Sequence, residues 1–404
     1  MKKLLSVILS LICVICLCGC EGISEMYSEI SKEFMNLIYQ TNQVAEIKYE
    51  TYYIEDPEFN SCYNQLNAKQ KNIYTRIRAI SEEMTEGFVS LGYNYDNAMK
   101  DISIAYSAFL QDNADVFWMP NTYILGTSGT GQGKIVSIAF QYSQGKKQNI
   151  YHVRKSQRDV MKTELETVVK EVISQTESLE SEYEKEKYIH DYLCDTVTYV
   201  EDGPLVNTAY GALVLNSALC EGYAKAFKLL CNEIGIACDL ITGRSENEGH
   251  MWNRVNIDLK HSYVDVTWDD RKEYKTYSYF NITEEQLIKT HTFAPLFTDM
   301  PDDEIIGGNT FNFTKKDCSF SGNTYYEMND RVLWHNYAET ASKKITESAQ
   351  NGENQSEFMF YSDEIQQIFE NDPNAFVGKI QPRLKSLTIH SYIQERNIVI
   401  LFYE

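Results

Sequence analysis

Apolar positions recur at helical spacing in several stretches of the chain. In LNAKQKNIYTRIRAISEEM, Leu66, Ile73, Ile77 and Ile80 share a face, which predicts a helix there, and a second helix is predicted over 98–110. Residues 159–176 and 180–195 predict two more, the latter reading ESEYEKEKYIHDYLCD. A further helix begins at or just before Cys220, with Ala224, Phe227, Leu230 and Ile234 on one face and Gly235 where a C-terminal cap belongs. Strand patterns lie between these helices. NTYILGTSGTGQGKIVSIAFQY predicts two strands around a glycine-rich turn; CDLITG (238–243), HMWNRVNI (250–257) and SYVDVTWDD (262–270) predict three more. The glycine-rich turn lacks the Gly-Lys-Ser/Thr ending of a phosphate loop and opens no helix, so it reads as a hairpin loop. Beyond residue 300 the pattern weakens to helices over 338–349 and 363–370 and strands over 357–361, 387–392 and 397–403.

Read in order, these elements divide the 404 residues into an N-terminal leader (1–19), a tether with a short helix near 31–43 (20–57), an N-terminal α+β accessory region (58–158), a central core (159–300) and a C-terminal α+β accessory region (301–404). The leader carries Lys2 and Lys3, then an apolar stretch from Leu4 to Leu17 that is short for a membrane-spanning helix. It ends in LCGC, with Gly19 just before Cys20, and so resembles a bacterial lipoprotein signal. The expectation is an exported protein whose Cys20 is lipidated and holds it to the extracytoplasmic face of the membrane. A net charge of −21, with no basic cluster interleaved with aromatics, excludes nucleic acid as the expected partner.

Export changes how the cysteines read. Beyond the leader and Cys20 there remain Cys62, Cys194, Cys220, Cys231, Cys238 and Cys318, too few and scattered for a disulfide scaffold. Cys220 stands out because it precedes a helix. Free backbone N–H groups there favour an anion, and thiols so placed titrate in the range of roughly 3.5–7.5 instead of about 8.5. A hairpin centred on Asp258–Leu259 sets residues whose numbers sum to 517 opposite one another. His250 and Asp265 then become diagonal neighbours on one face, within reach of an imidazole–carboxylate bond. Cysteine, histidine and aspartate so ordered supply nucleophile, general base and orienting group.

TAYGALVLNSALCEGYAKAFKLLCNEIGI, GHMWNRVNI and SYVDVTWDD together resemble the transglutaminase-like superfamily of papain-like cysteine enzymes, in its bacterial extracytoplasmic branch. The resemblance is specific from about residue 184 to 270, and Leu259 occupies the hairpin position where glycine is usual. It implies an α+β papain-like core with Cys220 as nucleophile, His250 as general base and acid, Asp265 as orienter, and no metal or organic cofactor. The backbone N–H of Cys220 and the hydroxyl of Tyr210 are candidates for an oxyanion hole. Trp252 and Trp268 are expected to wall the site, and His190 to be structural. The expected substrate is an amide of a protein or peptide, attacked to give a thioester that passes to water or an amine. Two rivals stand beside this reading: a metal site recruiting Cys220, His250 and Asp265, for which no ligand motif is present, and a non-catalytic cell-envelope module that keeps the fold.

Overall fold

The computed structural model describes residues 12–13, 59, 61–94, 98–128, 134–144, 151–271, 274–299, 311–322 and 324–404. Apart from the backbone of 12–13, the leader, Cys20 and the tether helix near 31–43 lie outside the described residues. The chain folds as an α+β protein with a transglutaminase-like core, as expected.

In the N-terminal region the helix Ala68–Glu83 starts on a capping box, with Asn67 and Gln70 bonding each other's backbone N–H at 3.0 Å. It packs beside Met99–Asp112. Strands Ile124–Ser128 and Ile135–Ala139 form the expected hairpin, whose glycine-rich tip lies outside the described residues. Val89–Asn94, which the apolar pattern did not flag, pairs with the outer side of Ile135–Ala139. Ile12–Cys13 pair with Ile124–Leu125 at the opposite edge.

The core has helices Lys155–Ser174, Glu182–Thr196 and Cys220–Glu233, against an antiparallel sheet ordered Lys260–Val264, Glu248–Ile257, Cys238–Ser245, His291–Phe293. The hairpin register is the expected one: Asn253 faces Val264 and Ile257 faces Lys260. The pairing stops at Val264, however. Asp265 turns the chain into a short helix, Val266–Asp269, by accepting the Trp268 N–H on its own side chain at 3.1 Å. The expected facing of His250 with Thr267 is therefore absent, because residues 266–269 are helical instead of extended. Asp258 and Leu259 both take positive φ, 50° and 64°, as a tight two-residue hairpin turn requires.

One hydrophobic cluster runs from Cys62 through Ile73, Phe227 and Val264 to Phe313, so the N-terminal region and the core share their interior. The C-terminal unit has its own, from Leu333 to Tyr403, built on strands ordered Val332–Leu333, Gln355–Phe360, Ile398–Tyr403, Ile389–Glu395 and on helices Tyr337–Gln350, Asp363–Asn371 and Pro373–Ile380. Pro373–Ile380 escaped the periodicity reading, being a helix of two turns that opens on proline. Polar contacts join this unit to the core: Arg271 with Glu395 (2.9 Å), the Asn329 amide with the Tyr183 hydroxyl (2.9 Å), and the Tyr277 N–H with Glu357 (3.1 Å). Among the described residues no helix is long and apolar enough to cross a membrane.

Candidate active site

Cys220 is the first residue of its helix, half-buried, after Leu219 in extended conformation. The first-turn N–H groups have no acceptor within the helix and lie beside the sulfur. Local packing explains how the helix start is held. A Cβ on Gly222 would fall 2.4 Å from the Val206 carbonyl oxygen, so only glycine lets residues 206–208 close over this turn. Leu219 N–H donates to the same Val206 carbonyl (2.8 Å). Glu221 is held by Lys225 (2.7 Å) and by the amide of Asn121 (3.1 Å), which ties the N-terminal region to the turn that carries the cysteine.

His250 comes from the neighbouring strand. Its Nε2 is 2.6 Å from Asp265 Oδ2, and its ring lies within electrostatic reach of the Cys220 thiol. Since Nε2 is committed to the carboxylate, Nδ1 is the nitrogen left for sulfur. Burial by itself would lower the His250 pKa, but the adjacent Asp265 carboxylate and the Cys220 thiol raise it from 6.5 to about 10. Burial likewise acts to raise Asp265, yet the positive ring of His250 and hydrogen bonds from two histidines hold that carboxyl well below its ordinary range. The three residues expected to act together are thus brought together. Trp252 stacks on His250 at 5.9 Å between centroids, and Trp268 lies at 6.3 Å, so the structure places both expected wall rings beside His250.

Tyr210 is not brought to the site: its hydroxyl donates to Glu164 (2.6 Å) and its ring packs on Phe117 (4.9 Å), which corrects its candidacy for the oxyanion hole. His190 is structural, as read. It is fully buried, bonded to Asp191 and Asp269 (3.2 Å each), and stacked on Tyr277 (5.2 Å). Burial opposes its charge, but the nearby Cys194 thiol and the bonds to both carboxylates raise its pKa well above the ordinary value.

Three contributors escaped the sequence reading. His291 Nε2 lies 3.0 Å from the same Asp265 Oδ2 that serves His250. Asn253, buried on the His250 strand, donates to the Ala224 carbonyl of the Cys220 helix at 2.9 Å and so fixes the distance between base and nucleophile. Gly243 pairs with His250 on one side and Phe293 on the other. A Cβ there would sit 2.0 Å from the Thr292 carbonyl oxygen and 2.6 Å from the Trp252 ring. A polar residue inside an alternating strand was the available signal for Asn253; nothing local marks His291.

His250, Asp265 and His291 hold their ligand atoms within 4.8 Å of one another, so a metal deserves a test. The separations of 2.6 and 3.0 Å are hydrogen-bond lengths. Two ligands on a tetrahedral zinc at about 2.0–2.1 Å would stand roughly 3.3 Å apart. The donor set fits a hydrogen-bonded cluster better than a resident cation. All six remaining cysteines, Cys220 among them, are free thiols.

An α+β core that sets a thiol at a helix start against a buried His–Asp pair has the form of a papain-like cysteine site. Residues 169–271 match the family model described as the transglutaminase-like superfamily, and through that segment the chain carries a transglutaminase-like core. None of the curated proteins matches it. Among solved structures, one described as a TGase is similar at 15% identity and a TM-score of 0.25, over 38% of this chain and 46% of that one. A proposed cysteine protease from Cytophaga hutchinsonii is similar at 15% identity and TM-score 0.24, over 35% and 61% of the two chains. A proposed protease from Parabacteroides distasonis is similar at 12% and 0.20, over 34% and 35%. The chain thus covers less than two thirds of each of these.

Proposed function

We propose that the protein is an exported cysteine enzyme, lipid-anchored through Cys20, that acts on amides of proteins or peptides. The observation that carries this reading is the buried His250–Asp265 pair at 2.6 Å, with the Cys220 thiol, at the start of a helix, within electrostatic reach of His250. Cys220 sulfur attacks the amide carbonyl carbon. The tetrahedral oxyanion is met by helix-start N–H groups, that of Cys220 among them. Protonated His250 then gives its Nδ1 proton to the leaving nitrogen as the C–N bond breaks and a thioester remains. Water or an amine attacks the thioester, His250 takes the proton, and as the C–S bond breaks the Cys220 thiolate is released. No metal or organic cofactor enters these steps. Hydrolysis is favoured over transfer because water is always present at a cell surface, whereas an amine needs a site of its own. The charge of −21 supports a partner other than nucleic acid.

The test uses the mature protein with glutamine-containing peptides and a primary amine, followed by mass. Amine adducts identify cross-linking, shorter fragments a peptidase, and the mass gain of an amide-to-acid change deamidation. No product from a broad panel, with a Cys220 that reacts like a free thiol, would instead leave a non-catalytic envelope module. Membrane attachment is checked separately: Cys20→Ala is expected to release the protein from the membrane fraction or stall its export. Wild-type protein found in the cytosol with residues 1–19 attached would end the anchoring proposal.

A further inference from the structure

We infer that His291 is a positioning residue of this site, acting on the base through Asp265. The inference rests on the cysteine-enzyme reading above. Asp265 Oδ2 receives two imidazoles, His250 at 2.6 Å and His291 at 3.0 Å, while Oδ1 receives the Trp268 N–H at 3.1 Å. A carboxylate held by His250 alone could swing about its Cβ–Cγ bond and carry the ring away from Cys220. With donors on both oxygens it cannot turn without breaking a bond in a buried setting, where an unmet donor is costly.

His291 is itself held firmly enough to act as the anchor. Its Nδ1 and the Thr290 hydroxyl share a hydrogen bond of 2.8 Å, and the Tyr279 hydroxyl donates to the same Thr290 oxygen at 3.2 Å. Its ring lies between Trp252 and Trp268, at 5.0 and 4.9 Å. Its backbone belongs to the edge strand opposite Ser245, on the strand that also pairs with His250. Both ring nitrogens are occupied and the side chain is fully buried, so His291 is no alternative base. Its one outlet is the Nε2–H that it gives to Asp265.

The distinguishing experiment compares His291→Gln with His291→Leu. Glutamine can place an amide N–H near the position of Nε2; leucine fills comparable space without a donor. Turnover on an amide substrate and the rate of Cys220 alkylation by iodoacetamide at pH 7 are both measured. The expected result is His291→Gln within about threefold of wild type and His291→Leu slower by about tenfold or more in kcat and in alkylation, with KM unchanged, the scale seen when an outer partner of a functional group is lost. Equal loss in both variants, through turnover or through unfolding, overturns the inference, as does a His291→Leu protein within twofold of wild type. Failure of the underlying reading looks different: wild-type Cys220 would then alkylate no faster than a free thiol, and His291 would have no base to position.

Discussion

At the scale of single residues, the site depends on His250 keeping its proton next to a buried carboxylate. Cys220→Ala removes the nucleophile from a half-buried position, so turnover should vanish while the melting temperature stays within a few degrees of wild type. His250→Ala should cost roughly 10²–10⁴-fold through lost proton transfer. Asp265→Asn takes the charge from beneath two imidazoles and leaves both with a poorer acceptor, so activity and stability should fall together. The pH dependence of stability separates these effects. His250 is raised on folding from 6.5 to about 10, so its stabilisation is complete below about 6.5 and is lost as pH rises through 10. Asp265 is depressed below its ordinary 3.8, so its share is complete above about 4 and is lost in acid. Thermal melts from pH 4 to 11 should show an alkaline decline that Asp265→Asn flattens. An unchanged alkaline arm in that variant would mean that Asp265 does not hold the proton on His250.

Between residues and domains, the site is a matter of how one helix and three strands are spaced. The sequence pattern captured much of this: the start of the helix at Cys220, the glycine after it, and the hairpin register that sets Asn253 against Val264. Periodicity failed where a side chain overrode it. Asp265 has the carboxylate that ends the strand by capping the next turn, and a strand pattern in DVTWDD conceals this. The anchoring strand at His291–Phe293 comes 26 residues after Asp265, and only tertiary packing brings it back beside Ser245. Asn253 shows how spacing is enforced. Its amide spans from the base strand to the Ala224 carbonyl, and Asn253→Ala should loosen that distance. A shift of about 1 Å between reacting groups can cost about 10²-fold, so kcat should fall by one to two orders of magnitude with Cys220, His250 and Asp265 all intact. A kcat within twofold would show that packing alone sets the spacing. The hairpin turn offers the opposite case. Leu259 is 90% exposed and held at φ 64°, a left-handed conformation costing a non-glycine residue about 1–2 kcal/mol. Leu259→Gly should raise the melting temperature by a few degrees and leave activity unaltered; a lower one would mean that the leucine contributes more than the turn costs.

Across the whole molecule, one buried acid, Glu357, helps join the C-terminal unit to the core, and a second, Glu186, lies within the core. Glu357 of the C-terminal unit sits against the core, accepting the Tyr277 N–H (3.1 Å), the Ser278 hydroxyl (3.4 Å) and the Tyr326 hydroxyl. Glu186, on the helix Glu182–Thr196, accepts the Asn281 amide at 2.6 Å, and its other oxygen finds no partner. Burial raises both carboxyls from 4.5 to about 8. A carboxyl raised on folding binds more protons in the native than in the unfolded chain, so it lowers stability as pH climbs from about 4.5 to about 8. The net charge of −21 acts in the same direction, because self-repulsion of the compact state grows as acids ionise. Melting temperature should therefore decline between pH 5 and 8 instead of standing at a plateau. Glu357→Gln keeps the shape of the protonated carboxyl and cannot ionise. That variant should match or exceed wild type at pH 8, with the difference shrinking at pH 5. Because Glu357 also faces Asp269, whose carboxylate holds the Tyr279 N–H (2.9 Å) just beyond the Asp265 turn, loosening this junction should reach the site. Wild-type amide turnover at pH 8 should fall at a lower temperature than at pH 6, and Glu357→Gln should close part of that gap. A flat wild-type profile, or a Glu357→Gln protein less stable at pH 8, would show that Glu357 is ionised and well solvated at this junction.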